Sequence, residues 1–102
     1  MADREITYDI EKYEEAAEML KALAHPTRLR IVEGLMRDEC NVSHMIECLG
    51  MPQATVSQHL KVLRSARIIK GRKSGLQVCY SVIDDRAREI VNILFPRSEF
   101  TE

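Results

Sequence analysis

Apolar residues recur at spacings of three and four in several stretches of this chain and alternate in one. Ala16, Met19, Leu20 and Leu23 share a face with Glu and Lys between them, which predicts a helix from about Ile10 to Ala24. His25-Pro26-Thr27 interrupts it. Pro26 suits the first turn of a second helix, where the N–H that proline lacks has no partner anyway. Leu29, Ile31, Val32 and Leu35 carry that helix to about Arg37. A third, short helix is expected over Asn41–Leu49, with Asn41 or Ser43 as N-cap and Gly50 just past its end. Gly50-Met51-Pro52 then makes a tight turn. In a fourth helix over Gln53–Ser65, Val56, Leu60 and Leu63 form one stripe, while Gln53, Thr55, Gln58 and Lys61 lie largely elsewhere.

The pattern next changes period. Two β-rich runs, "RIIKGRK" and "LQVCYSVI", joined at Ser74-Gly75, predict a β-hairpin with a basic tip. Alternation puts Val78, Tyr80 and Val82 on one face of the second strand and Gln77, Cys79 and Ser81 on the other. A last helix runs from about Asp84 to Phe95. Acids open it, Ala87, Ile90, Val91 and Leu94 stripe it, and Pro96 ends it. No repeat, low-complexity tract or linker divides the chain.

This order of elements describes a mainly α (α+β) fold, a winged helix-turn-helix, in a single domain over residues 1–102. The helix-turn-helix occupies about 41–65 and the wing about 67–83. In that arrangement the second helix of the motif enters the major groove and the hairpin lies along the phosphates. The terminal helices, about 10–24 and 84–95, hold more apolar surface than one small core uses. They therefore predict a two-fold homodimer whose recognition helices lie about one DNA turn apart.

Length and composition fit this reading. The 102 residues suffice for one domain and one modest core, and 45% hydrophobic with 30% charged residues is an ordinary soluble balance. No apolar run approaches the roughly 18 residues of a membrane span. The acidic N-terminus lacks the apolar stretch of a secretory signal. Three cysteines, an odd number without export features, point to the cytoplasm and to reduced thiols.

Net charge, −1, suggests no partner, but its distribution does. Residues 48–83 carry six basic side chains (Lys61, Arg64, Arg67, Lys70, Arg72 and Lys73) and no Asp or Glu, whereas both flanking segments are net acidic. An acid-free stretch in an otherwise acidic chain is the footprint of a phosphate-facing surface. Gln53, Thr55, Ser57, Gln58 and His59 cluster in the first two turns of the fourth helix, where recognition helices carry their base contacts. Gln pairs bidentately with adenine, Ser and Thr donate to base edges or phosphates, and His donates or accepts. Lys61, Arg64, Arg72 and Lys73 are the phosphate contacts, the last two on the wing. Taken singly, each is more ordinarily a solvated charge, and Thr55 and Ser57 could serve only as caps. His59, beside Leu60, is as well suited to partial burial as to DNA.

"LKALAHPTRLRIVEGL", "QATVSQHLKVLR" and "GLQVCYSV", in that order, resemble the ArsR/SmtB family of bacterial winged-helix repressors over roughly Ala16 to Leu94. The resemblance implies a homodimer joined by the first and last helices, which binds a two-fold-related operator and represses transcription. Many members leave DNA when a metal, an arsenical or an oxidant is sensed. The family's metal patterns transfer poorly. Where it has Cys-x-Cys at the third helix, this chain has Asn41 and Ser43, with Cys40 one place early. On the last helix Asp84 matches one ligand position, but Arg86, Arg97 and Phe100 stand at the others. The chain thus looks most like members without recognisable metal ligands, and no metal or other cofactor is expected.

Cys40, His44 and Cys48 remain, spaced by four. On one helix the two cysteines would be about 12 Å apart, too far for a disulfide or one shared zinc. Cys48 suits a core position, and Cys79 a buried one. Cys40, at a helix N-terminus where a thiolate is favoured, is the candidate for redox chemistry. A thiol- or metal-responsive repressor using Cys40 with His44 or Cys79 is one alternative. A winged-helix protein-interaction module without DNA binding is another. The sequence supports no enzyme: it holds no nucleophile–base pair and no Gly-rich phosphate loop, and a small-molecule substrate is not expected.

Overall fold

Proline, glycine and apolar spacing set the element boundaries in a computed structural model of the chain, which describes residues 8–37, 47 and 49–96. The helices are α1 (Ile10–Leu23), α2 (Pro26–Arg37), α3 (Gln53–Ser65) and α4 (Asp85–Leu94), with strands β1 (Ile69–Ser74) and β2 (Gln77–Val82) between the last two. The described residues are therefore mainly helical, with one antiparallel hairpin. The short helix expected over residues 41–49 lies outside them except at its end. There Glu47 and Leu49 are helical, and Gly50, at φ +65°, donates its N–H to the Glu47 carbonyl at 3.3 Å. A positive φ just past a helix end is the conformation glycine adopts without steric cost.

Local chemistry fixes each start and stop. α2 begins at Pro26, and the His25 imidazole caps it, Nδ1 accepting the Thr27 N–H at 3.1 Å. α4 starts one residue later than expected because Asp84 is its N-cap. The Asp84 carboxylate accepts the Arg86 and Ala87 N–H groups at 2.9 and 3.1 Å. At the end of α3 the Arg67 N–H reaches the Arg64 carbonyl and the Ile68 N–H the Leu63 carbonyl, both at 3.0 Å. That is a Schellman closure, and its left-handed position is held by Arg67 at φ +62° rather than by glycine. So Arg67 belongs to a turn, and the first strand starts two residues later than its apolar run suggested.

The hairpin pairs Ile69 with Val82, Gly71 with Tyr80, Arg72 with Cys79 and Ser74 with Gln77. Its two-residue loop is Gly75-Leu76, one position beyond the expected Ser74-Gly75. Gly75 has φ +66° while Leu76 is not among the positive-φ residues, the pattern of a type II′ turn. Gly71 is needed for a different reason: a Cβ there would meet Tyr80 Cε1 and Val78 Cγ1 at 3.0 Å.

One core joins these elements. Ile31, Val32 and Leu35 of α2 meet Val56, Leu60 and Leu63 of α3, Ile69, Tyr80 and Val82 of the hairpin, and Ala87 and Val91 of α4. Met19, Ala22 and Leu23 close it from α1. Ala16 is only partly buried and outside the core, and two other members of the expected stripes are exposed. Leu20 is 49% exposed and Leu94 52%, beside Tyr13 at 60% and Ile93 at 76%. A domain this small has no interior left for them. Among the described residues no helix is long and apolar enough to cross a membrane.

Candidate nucleic-acid interface

The apolar stripe of α3 faces the core, so its remaining surface is set by helical geometry. At about 100° per residue, Gln58 and Lys61 lie opposite the stripe with Ala54 and Ser65. Gln53, Ser57 and Arg64 form the flank toward the hairpin, and Thr55 and His59 the flank toward α1 and α2. Gln53, Thr55, Ser57, Gln58, Lys61 and Arg64 are all exposed, whereas His59 is only half-exposed. Lys70, Arg72 and Lys73 are exposed on β1. All six cations of the acid-free stretch are therefore on the surface.

The two flanks are tied down differently. On the hairpin side, Arg64 Nη1 donates to the Tyr80 hydroxyl at 3.4 Å, and the Tyr80 ring lies against Gly71. This links the end of α3 to the hairpin, so Arg64 also fixes the two elements relative to each other. On the other side, Arg28 of α2 donates from Nε to the Ala22 carbonyl at 2.6 Å and from Nη1 to His59 Nδ1 at 3.4 Å. The His25 and His59 rings lie 4.5 Å apart, tilted by 48°. Burial holds the His59 pKa below the ordinary 6.5, and the nearby His25 and Arg28 lower it further. Folding therefore favours the neutral His59 ring over the charged one.

Cys79 is buried on β2, paired across the hairpin with Arg72, and it is disulfide-bonded. This departs from the expectation of reduced thiols. Cys40 and Cys48, with His44, lie outside the described residues. Asp84, the one matching position for the family's last-helix ligands, is engaged as a helix cap and faces Arg86 at 3.5 Å. Among the described residues, no three His, Cys, Asp or Glu side chains are grouped to hold a metal.

Residues 25–70 match the model of a bacterial regulatory protein family, arsR. An uncharacterized HTH-type transcriptional regulator of Methanocaldococcus jannaschii is 43% identical over 86 residues, spanning 83% of this chain and 97% of that protein. The chain belongs to the ArsR family. As a member it is a DNA-binding transcriptional repressor of winged helix-turn-helix fold. The transcriptional repressor PagR of Bacillus anthracis is 40% identical over 84 residues, 81% of this chain and 84% of PagR. The PagR crystal structure superposes with a TM-score of 0.76, covering 84% of this chain and 99% of that one. The repressor BigR of Xylella fastidiosa, at 36% identity, gives 0.75 over 92% and 95%.

Sequence reasoning missed Arg28, His25 and Tyr80. Arg28 and His59 are 31 residues apart, and helical periodicity reports only neighbours on one helix. Gly71 was the available signal for Tyr80, because a strand-interior glycine often marks close approach of a neighbouring group.

Proposed function

We propose that two copies of this ArsR-family chain, joined through α1 and α4, bind a two-fold-related operator in the cytoplasm. Each copy places α3 in a major groove and its wing along the phosphates. Gln53, Ser57 and Gln58 read base edges, with Thr55 and His59 at the margin. Lys61, Arg64, Arg72 and Lys73 hold the backbone. The carrying observation is the exposed, acid-free surface formed by α3 and β1, where amide and hydroxyl side chains sit between cations. Exposed Tyr13, Leu20, Ile93 and Leu94 support the pairing of terminal helices. Selection of duplexes from a random-sequence pool tests this reading. It should yield inverted half-sites about one helical turn apart, bound by two chains per duplex. Salt-insensitive binding, or no selected sequence, would favour a protein-docking role.

Release by oxidation is part of the proposal. It is supported by the disulfide at Cys79, on the strand paired with Arg72. Two thiols give two protons and two electrons to a peroxide, which leaves as water, and the bond joins the sulfurs. Cys40 remains the candidate for initiating thiolate. Operator affinity should fall in peroxide and recover in dithiothreitol, and Cys79→Ser should abolish the difference. Equal affinity in both conditions would remove the switch while leaving the repressor.

A further inference from the structure

Three cationic or titratable groups meet where α3 rests on the corner between α1 and α2, on the flank away from the wing. Arg28 is central. Its Nε donates to the Ala22 carbonyl, in the last turn of α1, and its Nη1 to His59 on α3. Arginine only donates, so His59 Nδ1 is the acceptor and the ring proton sits on Nε2. His25 Nδ1 in turn receives the Thr27 N–H at the start of α2. Two imidazoles and one guanidinium thus connect the end of α1, the start of α2 and the second turn of α3.

We propose that Arg28 is a positioning residue for operator recognition, fixing the tilt of α3 on the α1–α2 corner through the Ala22 carbonyl and the His59 ring. This rests on α3 being the DNA-reading helix. The planar fork is suited to the task because its separate N–H groups engage two elements at once. A lysine ammonium on its flexible stem does not reproduce that geometry. An error in helix tilt displaces the base-reading side chains while leaving the phosphate-binding charges in place. Specific binding should therefore suffer and non-specific binding should not.

Proton occupancy gives the joint a signature. A second proton on His59 removes the Nδ1 acceptor and places a cation beside Arg28 and His25. The other charged groups near this corner are Glu18 and Lys21 of α1 and Lys61 of α3, which line one cleft with Arg28. The contribution of neutral His59 is present above the unfolded-state value of 6.5 and is lost as pH falls through its lowered folded value.

The test compares wild type, Arg28→Ala, Arg28→Lys and His59→Gln on a duplex selected by the wild type and on a scrambled duplex. Histidine ring titrations are followed by NMR without DNA. Arg28→Ala should lower the specific-to-scrambled affinity ratio about tenfold, the worth of one charge-assisted hydrogen bond, with the scrambled affinity unchanged. Arg28→Lys should not restore the ratio. The His59 titration should move up toward 6.5 in Arg28→Ala. In His59→Gln, whose amide oxygen can accept from Arg28 but does not titrate, the acid-side decline of operator affinity should be lost. If Arg28→Lys restores the ratio, or Arg28→Ala weakens both duplexes equally, Arg28 is a phosphate contact and the proposal fails. If Arg28→Ala does not fold, the specific-to-scrambled affinity ratio of Arg28→Lys decides. If the wild type selects no sequence, the repressor reading fails, and an unmoved His59 titration in Arg28→Ala would separately refute the joint.

Discussion

α3 and the terminal helices dispose of their apolar residues in opposite ways. Val56, Leu60 and Leu63 are all buried within one chain, so everything α3 shows to solvent is polar or cationic apart from Ala54 and the edge of Val62. α1 and α4 bury Met19, Ala22, Leu23, Ala87 and Val91 yet leave Tyr13, Leu20, Ile93 and Leu94 in solvent. The first arrangement suits a charged, hydrated partner, and the second suits another apolar surface. A repressor that pairs with a second copy, as proposed, and reads DNA needs one of each, on different faces.

The contrast predicts that similar lesions will fail differently. Leu63→Ala, inside the chain, should cost about 3 kcal/mol of folding stability, read as a lower denaturant midpoint with unchanged slope. No loss of stability would mean that α3 is not seated as described. Leu20→Asp, on the exposed face of α1, should leave the monomer folded but shift sedimentation from dimer to monomer. Operator affinity should then fall about a hundredfold, because the second half-site no longer binds as a linked module. Arg67→Gly should give the smallest effect, a stabilisation of about 0.5–1 kcal/mol, since glycine occupies the left-handed position after α3 without steric cost. If that variant is less stable, the Arg67 side chain contributes more than its backbone costs.

Most of the fold was legible because its signals are local. Pro26 and the Gly50-Met51-Pro52 turn delimit α2 and α3, and the three-four spacing of Val56, Leu60 and Leu63 identifies the buried face. Where the reading slipped, a neighbour or a distant residue decided. Arg67 was read as strand because residue type does not announce a left-handed cap. Leu20 and Leu94 were legible as members of an apolar face, but periodicity does not say which members of that face the chain's own core covers. The polar surface of α3 was legible residue by residue. Its attachments through Arg28 and Tyr80 were not, since they depend on side chains brought together only by folding. For the disulfide at Cys79 the sequence carried only an alternative, in which Cys40 acts with His44 or Cys79.

The central claim is that α3 reads bases while the wing holds phosphates, and one binding experiment separates the two. Affinity of wild type, Gln58→Ala and Arg72→Ala is measured on selected and scrambled duplexes across a salt series. The account predicts that Gln58→Ala loses about 1–3 kcal/mol of preference for the selected duplex with its salt slope unchanged. Arg72→Ala should weaken both duplexes alike and flatten the slope by about one ion. Operator affinity and salt slope both intact in the two variants would contradict it.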